Sequence, residues 1–154
     1  MPDNPALTAV RASGIPHAVV EYEPVESVEQ AAEARGIDLH ELVKTIVVRR
    51  GAGDLLMVLV PGDRVIDWPK LRRVLGVSRM ALASADEALA ATGYLPGTIT
   101  PFGSSTAMAV IADASMQGLA SIGGGASGVA INVAAKELIA FLDAVVADVT
   151  KAAN

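Results

Sequence analysis

Residues 92–103 read Thr-Gly-Tyr-Leu-Pro-Gly-Thr-Ile-Thr-Pro-Phe-Gly, with three glycines and two prolines, and neither a helix nor an inner strand can run through them. Proline removes a backbone donor and blocks the preceding helical turn, while glycine weakens any regular element that contains it. The stretch must be a shaped loop that the elements on either side accommodate. Such a loop presents backbone N–H groups at close range, which suits a carbonyl, carboxylate or phosphate of a ligand. Two readings stand at this point, a simple turn of the chain and the wall of a binding site.

The rest of the chain alternates helices and strands around this break. Residues 5–13 read as a first helix with Leu7 and Val10 inward, stopped by Gly14, and 18–22 as a short strand. Ser27 followed by Gln30 predicts a capping box opening a helix over 28–35, with Gly36 closing it. Residues 43–50 and 55–60 are apolar, β-rich runs separated by Gly51-Ala52-Gly53-Asp54, which predicts a hairpin. Asp67 caps a predicted helix over 68–75 with Trp68, Leu71, Val74 and Leu75 on one face and Lys70, Arg72 and Arg73 mostly on the other. A short strand over 80–83 and a helix from Ser84 to Gly93 precede the loop. Strands over 107–112, 119–122 and 129–133, a helix over 135–142 and a final strand near 145–149 follow it. This interleaving, with several hairpins, predicts an α/β (α+β) fold built on a mixed sheet flanked by helices.

Composition narrows the chemistry. The chain has 154 residues and is 52% hydrophobic, enough for a single domain spanning 1–154 with one aliphatic core. No cysteine is present, which excludes disulfides, thiolate metal sites and a cysteine nucleophile. The two histidines, His17 and His40, match no metal-ligand spacing, so no metal and no cofactor are expected. The longest weakly charged stretch, 108–133, is broken by Asp113, polar residues and glycines, and so reads as strands and turns rather than a membrane span. The N-terminus lacks the basic start and apolar core of a signal peptide, and a cytoplasmic protein is expected.

The net charge is −5, unevenly spread. Between Arg49 and Arg79 lie seven basic residues against three acids, a local charge of +4 that leaves −9 on the remainder. A basic face on an acidic protein can grip one phosphate-rich partner and repel it elsewhere. An ordinary solvated helix is the competing account.

Four segments in order carry a more specific signal: Val43-Lys44-Thr45-Ile46-Val47-Val48, the Pro/Gly loop, Val110-Ile111-Ala112-Asp113, and the stretch from Ile122-Gly123-Gly124-Gly125 to Leu138. In this set the chain resembles the YbaK/ProX family of aminoacyl-tRNA deacylases, related to the editing insertion domain of bacterial prolyl-tRNA synthetases. The resemblance extends from about Leu7 to about Val149. It implies a strongly curved, barrel-like mixed sheet, with Lys44 as the pocket residue most closely tied to activity and Thr45 beside it. It also implies that Asp113 supports the lysine by orienting it or a water; a turn cap is the rival role. Gly97, Thr100, Pro101, Phe102 and Gly103 correspond to the loop that contacts the terminal adenosine and the ester, and Tyr22 to an aromatic position at the pocket edge. Gly123, Gly124 and Gly125 are expected to form a tight turn beneath the site. Many relatives carry basic residues just after this loop, where the present chain has Ser104-Ser105-Thr106. That departure moves the expected phosphate contacts to Arg49, Arg50, Lys70, Arg72 and Arg73.

The function implied is hydrolysis, in trans, of the ester of mischarged tRNA, with prolyl-tRNA bearing alanine or cysteine as the family-level substrate and prolyl-tRNA synthetase as a partner. A non-catalytic module of the same fold that binds tRNA or a synthetase is the alternative. A structural or regulatory partner using only the basic helix is a third.

Overall fold

The helices begin and end where short-range hydrogen bonds dictate. The computed structural model describes residues 3–153. Four of its α-helices open on a side-chain cap: Asn4 for α1 (Pro5–Ser13), Ser27 for α2 (Val28–Arg35), Asp67 for α3 (Trp68–Leu75) and Ser84 for α4 (Ala85–Thr92). Each cap accepts the N–H three residues on, satisfying a donor that the first turn cannot. All four end on a glycine of positive φ, where a Cβ would be strained. The expected capping box at Ser27 is only half formed, because Gln30 Oε1 accepts the N–H of Glu26 instead. The fifth helix, α5 (Ala135–Leu142), follows a strand directly.

The strands are β1 (His17–Glu21), β2 (Val43–Gly51), β3 (Asp54–Pro61), β4 (Arg64–Ile66), β5 (Ala81–Leu82), β6 (Val110–Asp113), β7 (Leu119–Gly123), β8 (Val129–Ala134), β9 (Val145–Ala147) and β10 (Thr150–Ala152). They form a five-stranded sheet in the order β5-β2-β3-β6-β9, a three-stranded sheet β1-β8-β7 and a two-stranded ribbon β10-β4. The hairpin β2–β3 is antiparallel, and β3–β6 and β6–β9 are parallel, so the mixed sheet expected from the interleaved pattern is present. The described strands do not close into a barrel. Among the described residues a single bridge, Leu42 to Ser121, joins the strand row of β2 to that of β7, and the three sheets otherwise hydrogen-bond separately.

Strand β3 explains the division of the core. Leu56, Val58 and Val60 pack with Val48, Ile111 and Leu71 of α3 on one face, while Met57 and Leu59 pack with Val47, Val110, Phe102 and Ile122 on the other. Both faces are covered, which is why the run reads as continuously apolar. In α3, Leu71 is buried and Trp68 and Leu75 join it, but Val74 is 42% exposed, contrary to the expected inward face. A helix of eight residues on one sheet face buries a narrow stripe, and Val74 falls beyond its edge. Strands β4 and β10 are absent from the sequence expectations. Each has three residues and gains its pairing only from the other end of the chain.

Candidate active site

A cavity of about 560 Å³ lies where the open edge of β2 faces α2 and the Pro/Gly loop. Strand β2 pairs with β5 only at Val48 and Arg49, which leaves residues 44–46 without a strand partner on that edge. Register with β3 pairs Lys44 with Val60 and Val48 with Leu56, so alternation sets Lys44 on the α3 side and Thr45 on the interior side. Both border the cavity because the edge is open there.

Lys44 is half-buried. Its Nζ donates to the Arg64 carbonyl at 2.7 Å, leaving two ammonium donors beyond that bond. Burial pushes its pKa below the usual lysine value, and the negative charges of Asp63 and Glu29 push it partly back up. Thr45 Oγ1 is buried without a hydrogen-bond partner among the described residues. A buried hydroxyl left unpaired costs free energy that an incoming polar ligand atom would recover.

The opposite wall is the first half of the Pro/Gly loop, with Pro96, Gly97, Thr98 and Ile99 on the cavity. Gly97 has φ 91°, and its N–H takes no acceptor among the described residues. The loop is seated on the glycine turn, where Gly125 donates to the Thr98 carbonyl at 3.2 Å. Gly123 permits this seating, since a Cβ there would stand 2.8 Å from the Ile99 carbonyl oxygen. The glycine turn therefore lies directly beneath the loop. The remaining lining mixes small apolar residues, among them Val43, Val47, Ala83 and Ala88, with Tyr22 and Arg35 at one side.

These features match known proteins over most of the chain. The family model of the aminoacyl-tRNA editing domain matches residues 22–141. The chain belongs to the aminoacyl-tRNA editing domain family. It is 35% identical over 127 residues to the proline–tRNA ligase of Syntrophotalea carbinolica, covering 79% of this chain and 22% of that enzyme. It thus spans about a fifth of the length of such ligases, and is related to their editing insertion. YwhH, an uncharacterized protein of Bacillus subtilis, is 32% identical over 126 residues, covering 80% of each chain. The solved structure of a proposed trans-editing enzyme for prolyl-tRNA synthetase superposes with a TM-score of 0.86 at 26% identity, covering 94% of this chain and 93% of that one.

Within this editing domain, the cavity gathers Lys44, Thr45, Tyr22 and Gly97 from the sequence-derived set. The second half of the loop is not on it. Thr100 is buried, Phe102 stacks on Phe141 with centroids 5.5 Å apart, and a Cβ on Gly103 would stand 2.4 Å from the Pro5 carbonyl oxygen. Pro101 likewise lies off the cavity lining. Tyr94 donates its hydroxyl to the Phe102 carbonyl at 2.6 Å, and burial pushes its pKa up to about 12. Thr100 and Phe102 are thus packed inside and Pro101 and Gly103 are partly buried beside them, so this half of the loop stands apart from the cavity lining.

Asp113 is also off the cavity. Only 1% exposed, it accepts the N–H of Val149 at 3.1 Å and both the N–H and hydroxyl of Ser115. Burial pushes its pKa up, but the Ser115 and Val149 bonds outweigh this and hold the carboxyl below its usual range. No direct bond joins it to Lys44. The link runs through Arg64, whose guanidinium lies 3.9 Å from Asp113 and whose carbonyl receives Lys44. The turn cap, the rival role considered for Asp113, is the geometry observed.

Of the basic residues, Arg49, Arg50 and Arg72 border one surface groove, and Arg79, which sequence reasoning counted only toward charge, joins them there. Arg49 also meets Glu87 at 3.5 Å and Arg50 meets Asp54 at 2.8 Å. Lys70 is turned elsewhere, bonded to Asp148 and to the Thr150 carbonyl, and Arg73 lies outside the groove. Among the described residues no three His, Asp or Glu side chains converge as metal ligands, and none is assigned to a metal or cofactor. Among the described residues no helix is long and apolar enough to cross a membrane.

Proposed function

We propose that this editing domain acts in trans as an aminoacyl-tRNA deacylase, hydrolysing the ester between a mischarged amino acid and the terminal ribose. The observation that carries this reading is the half-buried Lys44 at the open edge of β2, bordering a small-residue cavity that Gly97 also lines. A water oxygen forms a bond to the ester carbonyl carbon, the carbon–oxygen bond to ribose breaks, and the ribose oxygen takes up a proton. The ester is already activated, so preorganised donors at the developing oxyanion supply much of what the reaction needs, each worth about 10²–10³ in rate. The Gly97 N–H and the free donors of Lys44 are the groups available for that charge.

The cavity's complement of Ala83, Ala88, Val43 and Val47 suits a small amino acid, in keeping with alanine or cysteine misattached to the proline tRNA. The groove of Arg49, Arg50, Arg72 and Arg79 supports a contact with the tRNA backbone. Cooperation with prolyl-tRNA synthetase, a cytoplasmic location and a single domain over 1–154 complete the proposal. Deacylation of a panel of mischarged tRNAs by the purified chain tests it. Turnover of a small amino acid on proline tRNA is the expected result, and tRNA binding with no hydrolysis of any member would select the non-catalytic binding module instead.

A further inference from the structure

Arg35 is the single arginine or lysine in the acidic stretch between Glu21 and Glu41, and nothing in its sequence context marks it as functional. In the structure it ends α2 and borders the cavity. Its Nη1 donates to the Ser121 carbonyl at 3.2 Å and to Ser121 Oγ at 3.3 Å, and Nη2 donates to the Tyr22 hydroxyl at 3.1 Å. The guanidinium carbon stands over the Tyr22 ring, 5.2 Å from its centroid. Nε is buried without an acceptor among the described residues.

A guanidinium is a rigid planar fork, so fixing two of its nitrogens fixes the whole group. Ser121 is itself fully buried in β7, which makes the anchor firm. Arg35 thereby ties the end of α2 to the β1-β8-β7 sheet and holds the Tyr22 ring by both its hydroxyl and one face. A flat ligand entering the cavity meets the opposite face or the edge of that ring. Aromatic side chains held in this way are stacking platforms for bases, and an adjacent cation reinforces the stack. Every aminoacyl ester of tRNA is attached to a terminal adenosine, whose base is the flat group next to the reacting bond.

We infer that Arg35 is a positioning residue that fixes the Tyr22 ring as the platform on which the substrate's terminal adenine stacks. This rests on the proposed deacylase reading, but its binding step is measurable without turnover. In the full chain, Arg35→Met weakens binding of AMP, followed by calorimetry or chemical-shift titration, about tenfold, the loss expected when a base–aromatic stack is loosened. KM for mischarged tRNA rises similarly while kcat stays within about twofold, because the group touches no reacting atom. Tyr22→Phe keeps the ring and its face contact with Arg35 but removes the hydroxyl that Arg35 holds, so it loosens the ring, lowers AMP affinity several-fold and serves if Arg35→Met does not fold. In the double variant the two losses are less than additive.

Unchanged AMP affinity in a folded Arg35→Met or in Tyr22→Phe overturns the inference, as does full additivity of the two. A chain that binds AMP through Arg35 yet deacylates no tRNA leaves the inference standing and removes the hydrolytic reading. A chain that deacylates normally with Arg35→Met at unaltered KM removes the inference alone.

Discussion

Lys44 and Asp113, paired in expectation, separate in the structure into a cavity residue and a buried turn anchor. Lys44→Ala removes the cavity cation and one hydrogen bond to Arg64, so we expect deacylation to fall by about 10²–10³-fold with the fold intact. Near wild-type turnover by that variant would place the reaction elsewhere. The lowered pKa of Lys44 gives a second readout. If the ammonium is the working form, turnover corrected for spontaneous hydrolysis declines with rising pH earlier than an unperturbed lysine near 10.4 would dictate. Asp113→Asn acts differently. An amide keeps one acceptor and converts the other oxygen to a donor, which must face the N–H of either Ser115 or Val149. The expected cost is roughly 1–3 kcal/mol of stability with kcat little changed, measured by urea titration alongside the deacylation assay. The carboxyl is held below its unfolded pKa, so its stabilisation is present above about pH 3.9 and lost as pH falls through the folded value; in the variant this acid-dependent part disappears.

At the scale of elements, the 3₁₀ turn Leu39–Glu41, capped by Glu41 on the Asp38 N–H, is tied to two neighbouring turns by His40. His40 Nδ1 lies 2.7 Å from Asp63 Oδ1 and Nε2 lies 2.9 Å from the Ser115 carbonyl, bridging the β3–β4 and β6–β7 turns. Both partners are acceptors, so both ring nitrogens donate only when the ring is an imidazolium. The Ser115 bond raises its pKa most; burial opposes this, Asp63 adds to it and Arg64 opposes. With the folded pKa above the unfolded one, the contribution is complete below about pH 6.5 and lost as pH rises through the folded value. We expect wild-type stability relative to His40→Ala to shrink between about pH 6 and pH 8. A constant difference across that window would mean that only neutral packing is at work. The Pro/Gly loop shows the same scale from the other side. Its composition announces irregular backbone, yet nothing local distinguishes residues 96–99, which border the cavity, from 100–103, which lie off it with Thr100 and Phe102 buried.

For the whole molecule, charge is the property that sets how a tRNA would approach. The net charge is −5, yet four arginines, two from β2, Arg72 of α3 and Arg79 just after α3, meet in one groove. Arg72→Glu with Arg79→Glu should weaken tRNA binding and flatten its salt dependence by about one counterion per lost phosphate contact. Hydrolysis of a minimal aminoacyl-adenosine should be unchanged, since that substrate does not reach the groove. Unaltered binding of full tRNA would take this face out of the interface. Lys70, bonded to Asp148, is the control: its replacement should alter the salt slope little.

The sequence by itself determined what depends on neighbours a few residues apart. Caps at Ser27, Asp67 and Ser84, glycine stops at Gly14, Gly36 and Gly93, and the hairpin around Gly51-Ala52-Gly53-Asp54 were all legible, because each hydrogen bond closes within about one turn of chain. Lys44, Thr45 and Gly97 stand in the ordered motifs and Tyr22 at a position the resemblance singles out, and the fold brings the four to one cavity. Only the tertiary structure decided the β4–β10 ribbon, the separate sheets in place of a barrel, the binding of Asp113 by Val149, and the clamp of Arg35 on Ser121, 86 residues away in the chain. Those contacts have no local signature, because which partner a buried polar group finds depends on how distant apolar segments pack around it.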